Sequence, residues 1–190
     1  MAHHVALPAW VLVTERAALA RVTSSLLRPE FCSRCGQPTS RKFIPAEERK
    51  RDVCETCGHI HYVNPKIVAG TLPVDHRTVW LVRRAIEPRL GFWTHPAGFM
   101  EIGETVEEGA ARETREELGT QVEVQKLLGV YSRTRMNTVH IVYLARPLSG
   151  PTGGAETLEF ASFTPETAPW DRLAFWSTHR ALRDWMQMLD

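Results

Sequence analysis

Glu113, Glu116 and Glu117 lie close together in the stretch GFMEIGETVEEGAARETREELGT, residues 98–120, which holds seven glutamates. On an α-helix, at about 100° per residue, these three carboxylates fall within a wedge of about 100°. Like charges so placed destabilise an isolated helix by a few tenths of a kcal/mol per pair, and by more when partly buried. A divalent cation reverses that sign. Oxygen donors of this kind suit Mg²⁺ or Mn²⁺, which keep several waters and share their remaining positions with substrate phosphates. Arg112 stands four residues before Glu116, where it can restrain that carboxylate. The alternative for such a helix is a solvated acidic face.

The second group of chemistry-bearing residues is Cys32, Cys35, Cys54 and Cys57, two C-x-x-C-G turns with 18 residues between them. This is the spacing of a four-cysteine zinc ribbon: each turn aims two thiolates at one point, and Gly36 or Gly58 lets backbone amides approach the sulfurs. Four thiolates leave no open position, so the expected Zn²⁺ is structural. His59 and His61 are read as ordinary polar residues. Between 31 and 62 there are too few large apolar residues for an unaided core, so a bound ion must replace it.

The elements that position these groups are set by patterning. Thr105 and Glu108 form a T-x-x-E capping box and Gly119 is a stop, which predicts a helix over Val106–Leu118 with Ala110, Thr114 and Leu118 on its packing side. Strand-like runs cover Ile67–Val74, Val79–Val82, Val122–Tyr131 and Thr138–Ala145, and residues 177–189 read as a closing helix with Ala181, Leu182, Trp185, Met188 and Leu189 at helical spacing. The segment GPTGG, 150–154, reads as a flexible loop. Residues 1–30 are a leader in which 17–27 can form a short amphipathic helix; 31–62 are the ribbon and 63–190 the main domain. Lys and Arg total 23 against 22 Asp and Glu in 190 residues, so no global field marks a nucleic-acid or membrane-surface binder. Neither a signal peptide nor a membrane span is read near the start, and paired cysteines without an export signal point to a reducing, cytoplasmic compartment.

Gly98, five residues, Glu104, seven residues, then Arg112-Glu113-Thr114-Arg115-Glu116-Glu117-Leu118-Gly119 resembles the Nudix box at every invariant position. Thr114 and Thr120 stand where the family usually has aliphatic residues, and His95 stands where leucine is common; the first two departures bear on packing, the third on the local wall of the site. The resemblance spans roughly 65–185 and implies an α/β/α sandwich with a mixed β-sheet, here preceded by a small β-type zinc ribbon. The ribbon narrows the similarity to enzymes acting on FAD, NADH or ADP-ribose-like dinucleotides. The S-Q-P-W-P-F-P signature of NADH pyrophosphatases does not come after Gly119, whereas NPKIVAGTL, WTHPAGFMEIGE and ETLEFASFTPE look like the zinc-ribbon FAD pyrophosphatases, so FAD, cleaved to FMN and AMP, is the expected substrate.

What the resemblance implies is water attack on one phosphorus of a pyrophosphate, with Mg²⁺ or Mn²⁺ held by Glu113, Glu116, Glu117 and the carbonyl of Gly98, and with Arg112 among the catalytic groups. A further carboxylate from outside the box is expected, with Glu159 preferred over Glu156. Arg83 and Arg84 are candidates for phosphate, Arg84 first. Phe99 is the candidate ring for a base or flavin, Phe92 flanks it, and Trp93 and His140 are expected in structural roles. A homodimer without nucleic-acid or membrane partners is expected. The competing readings are a ribbon that binds nucleic acid through Arg34, Arg41, Lys42, Arg49, Lys50 and Arg51, removal of a nucleotide cofactor cap from RNA, and a dinucleotide-binding regulator that does not cleave; the intact box glutamates argue against the last.

Overall fold

The structure, a computed structural model, describes residues 28–133 and 136–189; the leader helix expected over 17–27 lies outside them. The chain divides into two compact units at Asn64–Pro65. In the first, β1 (Thr39–Ile44), β2 (Arg49–Cys54) and β3 (Ile60–His61) form an antiparallel sheet in that order. Its buried residues among 28–64 are only Cys32, Asp52 and Cys54, so it has no apolar core. Asp52 is paired with Arg28 and with Arg41 at 2.8 Å; burial works against its charge, but the two guanidinium groups hold the carboxyl below its ordinary range.

The four cysteine sulfurs lie within 4.8 Å of one another. Cys32–Cys57 is 3.7 Å, and Cys35–Cys54 and Cys35–Cys57 are each 3.5 Å. Zn–S bonds of about 2.3 Å in a tetrahedron require sulfur pairs about 3.8 Å apart, so these residues, as thiolates, fit a structural Zn²⁺. The amides of Gly36 and Gly58 close the two turns on the carbonyls of Cys32 and Cys54. His59 and His61 stack edge to face on each other, outside this cluster.

The second unit is a mixed sheet in the order β10-β5-β4-β9-β8, built from β4 (Lys66–Asp75), β5 (Thr78–Arg84), β8 (Val122–Arg133), β9 (Thr138–Pro147) and β10 (Thr157–Phe163). The short strands β6 (Trp93–Thr94) and β7 (Ala97–Phe99), which no run of apolar residues predicts, pair with β5 and β4. Only β4 and β9 run parallel. Val68 to Pro73 on β4 are all buried, as befits a strand covered on both faces. The helix α1 (Val106–Leu118) covers one face, where Ala110, Thr114 and Leu118 are fully buried. The other is covered by α2 (Trp176–Met186), whose Ala181, Leu182 and Trp185 pack with Leu72, Leu81, Val142 and Leu144. That helix ends before Met188, which is half exposed.

The threonines at aliphatic positions are matched by polar partners. Thr114 Oγ1 donates to the Ala110 carbonyl at 2.8 Å and lies 2.6 Å from Thr71 Oγ1, and Thr120 Oγ1 donates to the Ser149 carbonyl at 2.9 Å. His95 is buried, with Nδ1 3.1 Å from Thr178 Oγ1; burial, and then the nearby His140, push it down to about 3, so it is neutral.

The ribbon generates the first prediction. Structural zinc in small domains supplies about 10–16 kcal/mol, far more than three buried side chains can. Elemental analysis should find one zinc per chain, and Cys35→Ser should lose it together with amide-exchange protection across β1 and β2, while Cys-to-Cys oxidation without zinc would contradict the assignment.

Candidate active site

The site is built along the second half of α1, where β7 passes beside it, and on the loop that leads into the helix. Thr105 caps the helix as the spacing predicts: its Oγ1 accepts from the Glu108 amide at 3.2 Å, and Glu108 accepts from the Thr105 amide at 2.8 Å. The preceding loop is tied by Glu104, which accepts from the Glu101 amide at 2.7 Å. Arg112 then gathers the acidic groups. Its Nε and Nη2 donate to the two oxygens of Glu104 at 3.0 and 2.9 Å, and its Nη1 donates to Glu113 at 2.7 Å and Glu116 at 3.1 Å. Nη2 also donates to the Phe99 carbonyl at 3.1 Å. The guanidinium holds the Glu104 carboxyl down to about 2.

Glu113 is largely buried and lies against Gly98, where any Cβ would overlap its carboxylate. That close approach requires glycine. Burial pushes the Glu113 carboxyl up, Arg112 opposes the rise, and Glu116 and Glu104 add to it. Glu117 is 8% exposed and accepts from the Ala97 amide at 3.1 Å. Burial pushes its carboxyl up to about 7; the Ala97 amide and Arg84 oppose this, while Glu113 and Glu156 reinforce it. Glu116 is the exposed member of the three.

Four carboxylates thus share one neighbourhood with a single guanidinium, an arrangement that favours a cation. Among the described residues, three or more ligand atoms converge within 4.8 Å only at the cysteines, because Glu113 and Glu116 are turned toward Arg112. By donor chemistry, an all-oxygen set of carboxylates suits a hard divalent cation, which retains waters between protein donors.

The remaining candidates meet other partners. Arg83 Nε lies 2.9 Å from Glu159, forming an ion pair. Strand alternation puts Arg83 on the α2 side with Val79 and Leu81, and Glu159 with Ala161 and Phe163, away from α1. Arg84 donates to the Pro88 carbonyl at 2.9 Å and lies 5.0 Å over the Phe175 ring. The charge of Glu156 helps to raise the Glu117 carboxyl, whereas Glu159 is paired with Arg83. Phe99 is exposed, with Lys66 Nζ 4.9 Å over its ring. Trp93 is buried in the core against Phe163, and His140, pushed down by burial, sits in β9 beside Tyr131.

Residues 64–186 match the NUDIX domain family and residues 30–63 match the Nudix N-terminal zinc ribbon. The chain belongs to the Nudix hydrolase family. This Nudix chain is 40% identical to a NUDIX hydrolase from Nitrosomonas europaea of known crystal structure, with a TM-score of 0.79 over 84% of this chain and 91% of that one. It is 32% identical over 158 residues to an ADP-ribose pyrophosphatase of Methanocaldococcus jannaschii, covering 80% of this chain and 87% of the relative. It is 40% identical over 111 residues to the mitochondrial NAD(P)H pyrophosphatase NUDT13 of Homo sapiens, of which it spans 30%. No helix among the described residues is long and apolar enough to cross a membrane.

Glu117 is the carboxyl of the site that titrates near neutrality. Its folded pKa is raised above the ordinary value, so the metal-free fold holds a proton that the unfolded chain releases earlier. The stability from this proton is complete below the ordinary glutamate range, about 4.3, and is lost as pH rises through about 7. A cation that takes this carboxylate as a ligand would have to displace that proton at lower pH. Mn²⁺ titration followed by electron paramagnetic resonance should show affinity weakening by about tenfold per pH unit below the Glu117 pKa and levelling above it.

Proposed function

We propose that this chain is a Mg²⁺- or Mn²⁺-dependent pyrophosphatase that cleaves small molecules built on ADP, with ADP-ribose first among them. The observation that carries the reading is the Arg112-centred cluster: it holds Glu113 and Glu116 in place beside a buried Glu117 and the glycine backbone at Gly98. The long match to a relative named an ADP-ribose pyrophosphatase supports the choice of substrate over FAD, which the texture of the sequence favours. NADH is the third candidate, supported by the relative named for NAD(P)H. Removal of an NAD cap from RNA uses the same chemistry, and a relative from Photobacterium profundum, 36% identical over 96 residues, carries that name. FAD, NADH and ADP-ribose share the ADP half, so one site can serve all three with different efficiency.

In this reading Glu113, Glu116, Glu117 and the Gly98 carbonyl hold the cation. When bound it neutralises the diphosphate and lowers the pKa of an attached water. Arg112 does not meet substrate; it fixes the directions of Glu113 and Glu116 and keeps Glu104 ionised. Arg84, at the end of β5 where the 85–92 loop closes back on it, is the cation offered to a phosphate oxygen. Phe99 presents an open ring face for a base. Of the two carboxylates outside the box, Glu156 is better placed to receive the water's proton, since Glu159 is engaged by Arg83. The assembly carried with this reading is a homodimer in a reducing compartment, checked by light scattering of the purified protein.

Glu117→Gln should lower turnover by about three orders of magnitude with little change in melting temperature, because a buried carboxyl that is protonated near neutrality is close in shape and charge to an amide. Glu156→Gln should lower it more than Glu159→Gln, and the reverse order would return the role to Glu159. AMP release from ADP-ribose, FAD and NADH, compared as kcat/KM under matched Mg²⁺, decides the substrate: a margin of about tenfold corresponds to about 1.4 kcal/mol of differential transition-state binding. A nucleoside triphosphate ahead by that margin would overturn the ADP-linked reading.

A further inference from the structure

The segment 150–157 docks on the C-terminal turn of α1, although its glycines read as a flexible loop. A helix leaves its last four carbonyls without partners inside the helix. Here Gly119 closes on the Arg115 carbonyl, and the carbonyls of Glu117, Leu118 and Gly119 are met by this one segment. The amides of Thr152 and Gly153 donate to the Leu118 carbonyl at 3.2 and 3.0 Å, and Thr152 Oγ1 donates to the Gly119 carbonyl at 2.9 Å. Thr157 Oγ1 donates to the Glu117 carbonyl at 2.6 Å. At Gly154 a Cβ would collide with the Glu116 carbonyl, so this approach requires glycine.

The hydroxyl of Thr157 is fixed independently of the helix. Thr157 begins β10 opposite Arg84, and the carbonyl of the preceding Glu156 accepts from the Ala85 amide at 2.8 Å. Glu117 is therefore gripped at both ends: Thr157 holds its main chain, and the Ala97 amide holds its carboxylate. Long side chains on a helix lean back toward its N-terminus, so a small shift of the last turn carries the Glu117 carboxylate along the axis toward or away from Glu113.

We propose that Thr157 is a positioning residue for Glu117, the sheet using its hydroxyl to set where that carboxylate stands for the cation. The proposal rests on the reading of Glu117 as a cation ligand. A helix cap of purely structural use would affect melting temperature and leave cation affinity unchanged; a positioning residue moves affinity and turnover together.

The test compares Thr157→Val, which keeps the shape and removes the hydroxyl, with Thr157→Ser, which keeps the hydroxyl. Mn²⁺ affinity is read by electron paramagnetic resonance without substrate, kcat and KM with ADP-ribose, and melting temperature by calorimetry. The expected result for T157V is Mn²⁺ affinity weaker by about tenfold and kcat lower by about tenfold, KM within about twofold, and T157S near the parent on both. Should T157V fold poorly, Gly154→Ala, which pushes the same segment off the helix, carries the measurement with the same expected loss of Mn²⁺ affinity. Parent-like Mn²⁺ affinity in whichever of these variants folds overturns the proposal, as does failure of T157S to restore it. Glu117→Gln separates the two ideas: if it too keeps parent Mn²⁺ affinity, the assignment of Glu117 as ligand fails; if it loses the ion while T157V keeps it, the proposal about Thr157 alone fails.

Discussion

One guanidinium makes the acidic site possible. Arg112 distributes its donors over Glu104, Glu113, Glu116 and the Phe99 carbonyl, a division that a planar five-donor fork can make and a lysine ammonium cannot. Remove it, and four carboxyl groups on one helix and its leading loop crowd each other with three of them largely withdrawn from water. Arg112 offsets only part of the negative charge of the cluster, which leaves an electrostatic environment that favours a cation. The other devices of the site serve this centre. Glu104 anchors the loop to the guanidinium, and Gly98 gives Glu113 room against the backbone of β7.

The two units answer the problem of stability in different ways. The ribbon buries almost nothing apolar and depends on four sulfurs spaced for one metal ion. The Nudix unit has a core between its sheet and α2, yet it holds several polar side chains inside by pairing their hydroxyls with one another or with a ring nitrogen. Thr71 with Thr114, and Thr94 and His95 with Thr178, are such pairs. A hydroxyl in an apolar interior costs little once it is hydrogen-bonded and a great deal when it is not. That is why threonines at positions usually aliphatic leave the helix seated on β4. The neutral state of His95 obeys the same rule, since a charged imidazole there would have no carboxylate to answer it.

Chemistry and selectivity are drawn from different parts of the chain. The box glutamates come from one helix and one loop, and their arrangement is a property of the Nudix family to which the chain belongs. In the proposed reading, the groups that would distinguish one ADP-linked compound from another stand elsewhere: Arg84, Phe99 with Lys66, and the late segment around Glu156. Arg84, Phe99 and Lys66 stand at the ends of β5, β7 and β4, next to the loops, where changes of sequence disturb the sheet least.

The sequence by itself determined the features that local spacing dictates. The capping box at Thr105, the stop at Gly119, the packing side of α1, the four-cysteine geometry and the long strands are all set by residues close in the chain, whose periodicity and hydrogen-bonding needs act over a few positions. The tertiary structure decided the relations across long separations. No pattern in the sequence says that Arg83 and Glu159 face each other across β5 and β10, that Glu156 bears on Glu117, or that Thr157 serves a carbonyl 40 residues earlier in the chain. The short strands β6 and β7 were illegible for the same reason: they are too brief to carry a period and exist because β5 and β4 offer them hydrogen-bonding edges. Local physics wrote the ligands into one helix; only the sheet, by bringing distant segments against that helix, fixes where those ligands stand.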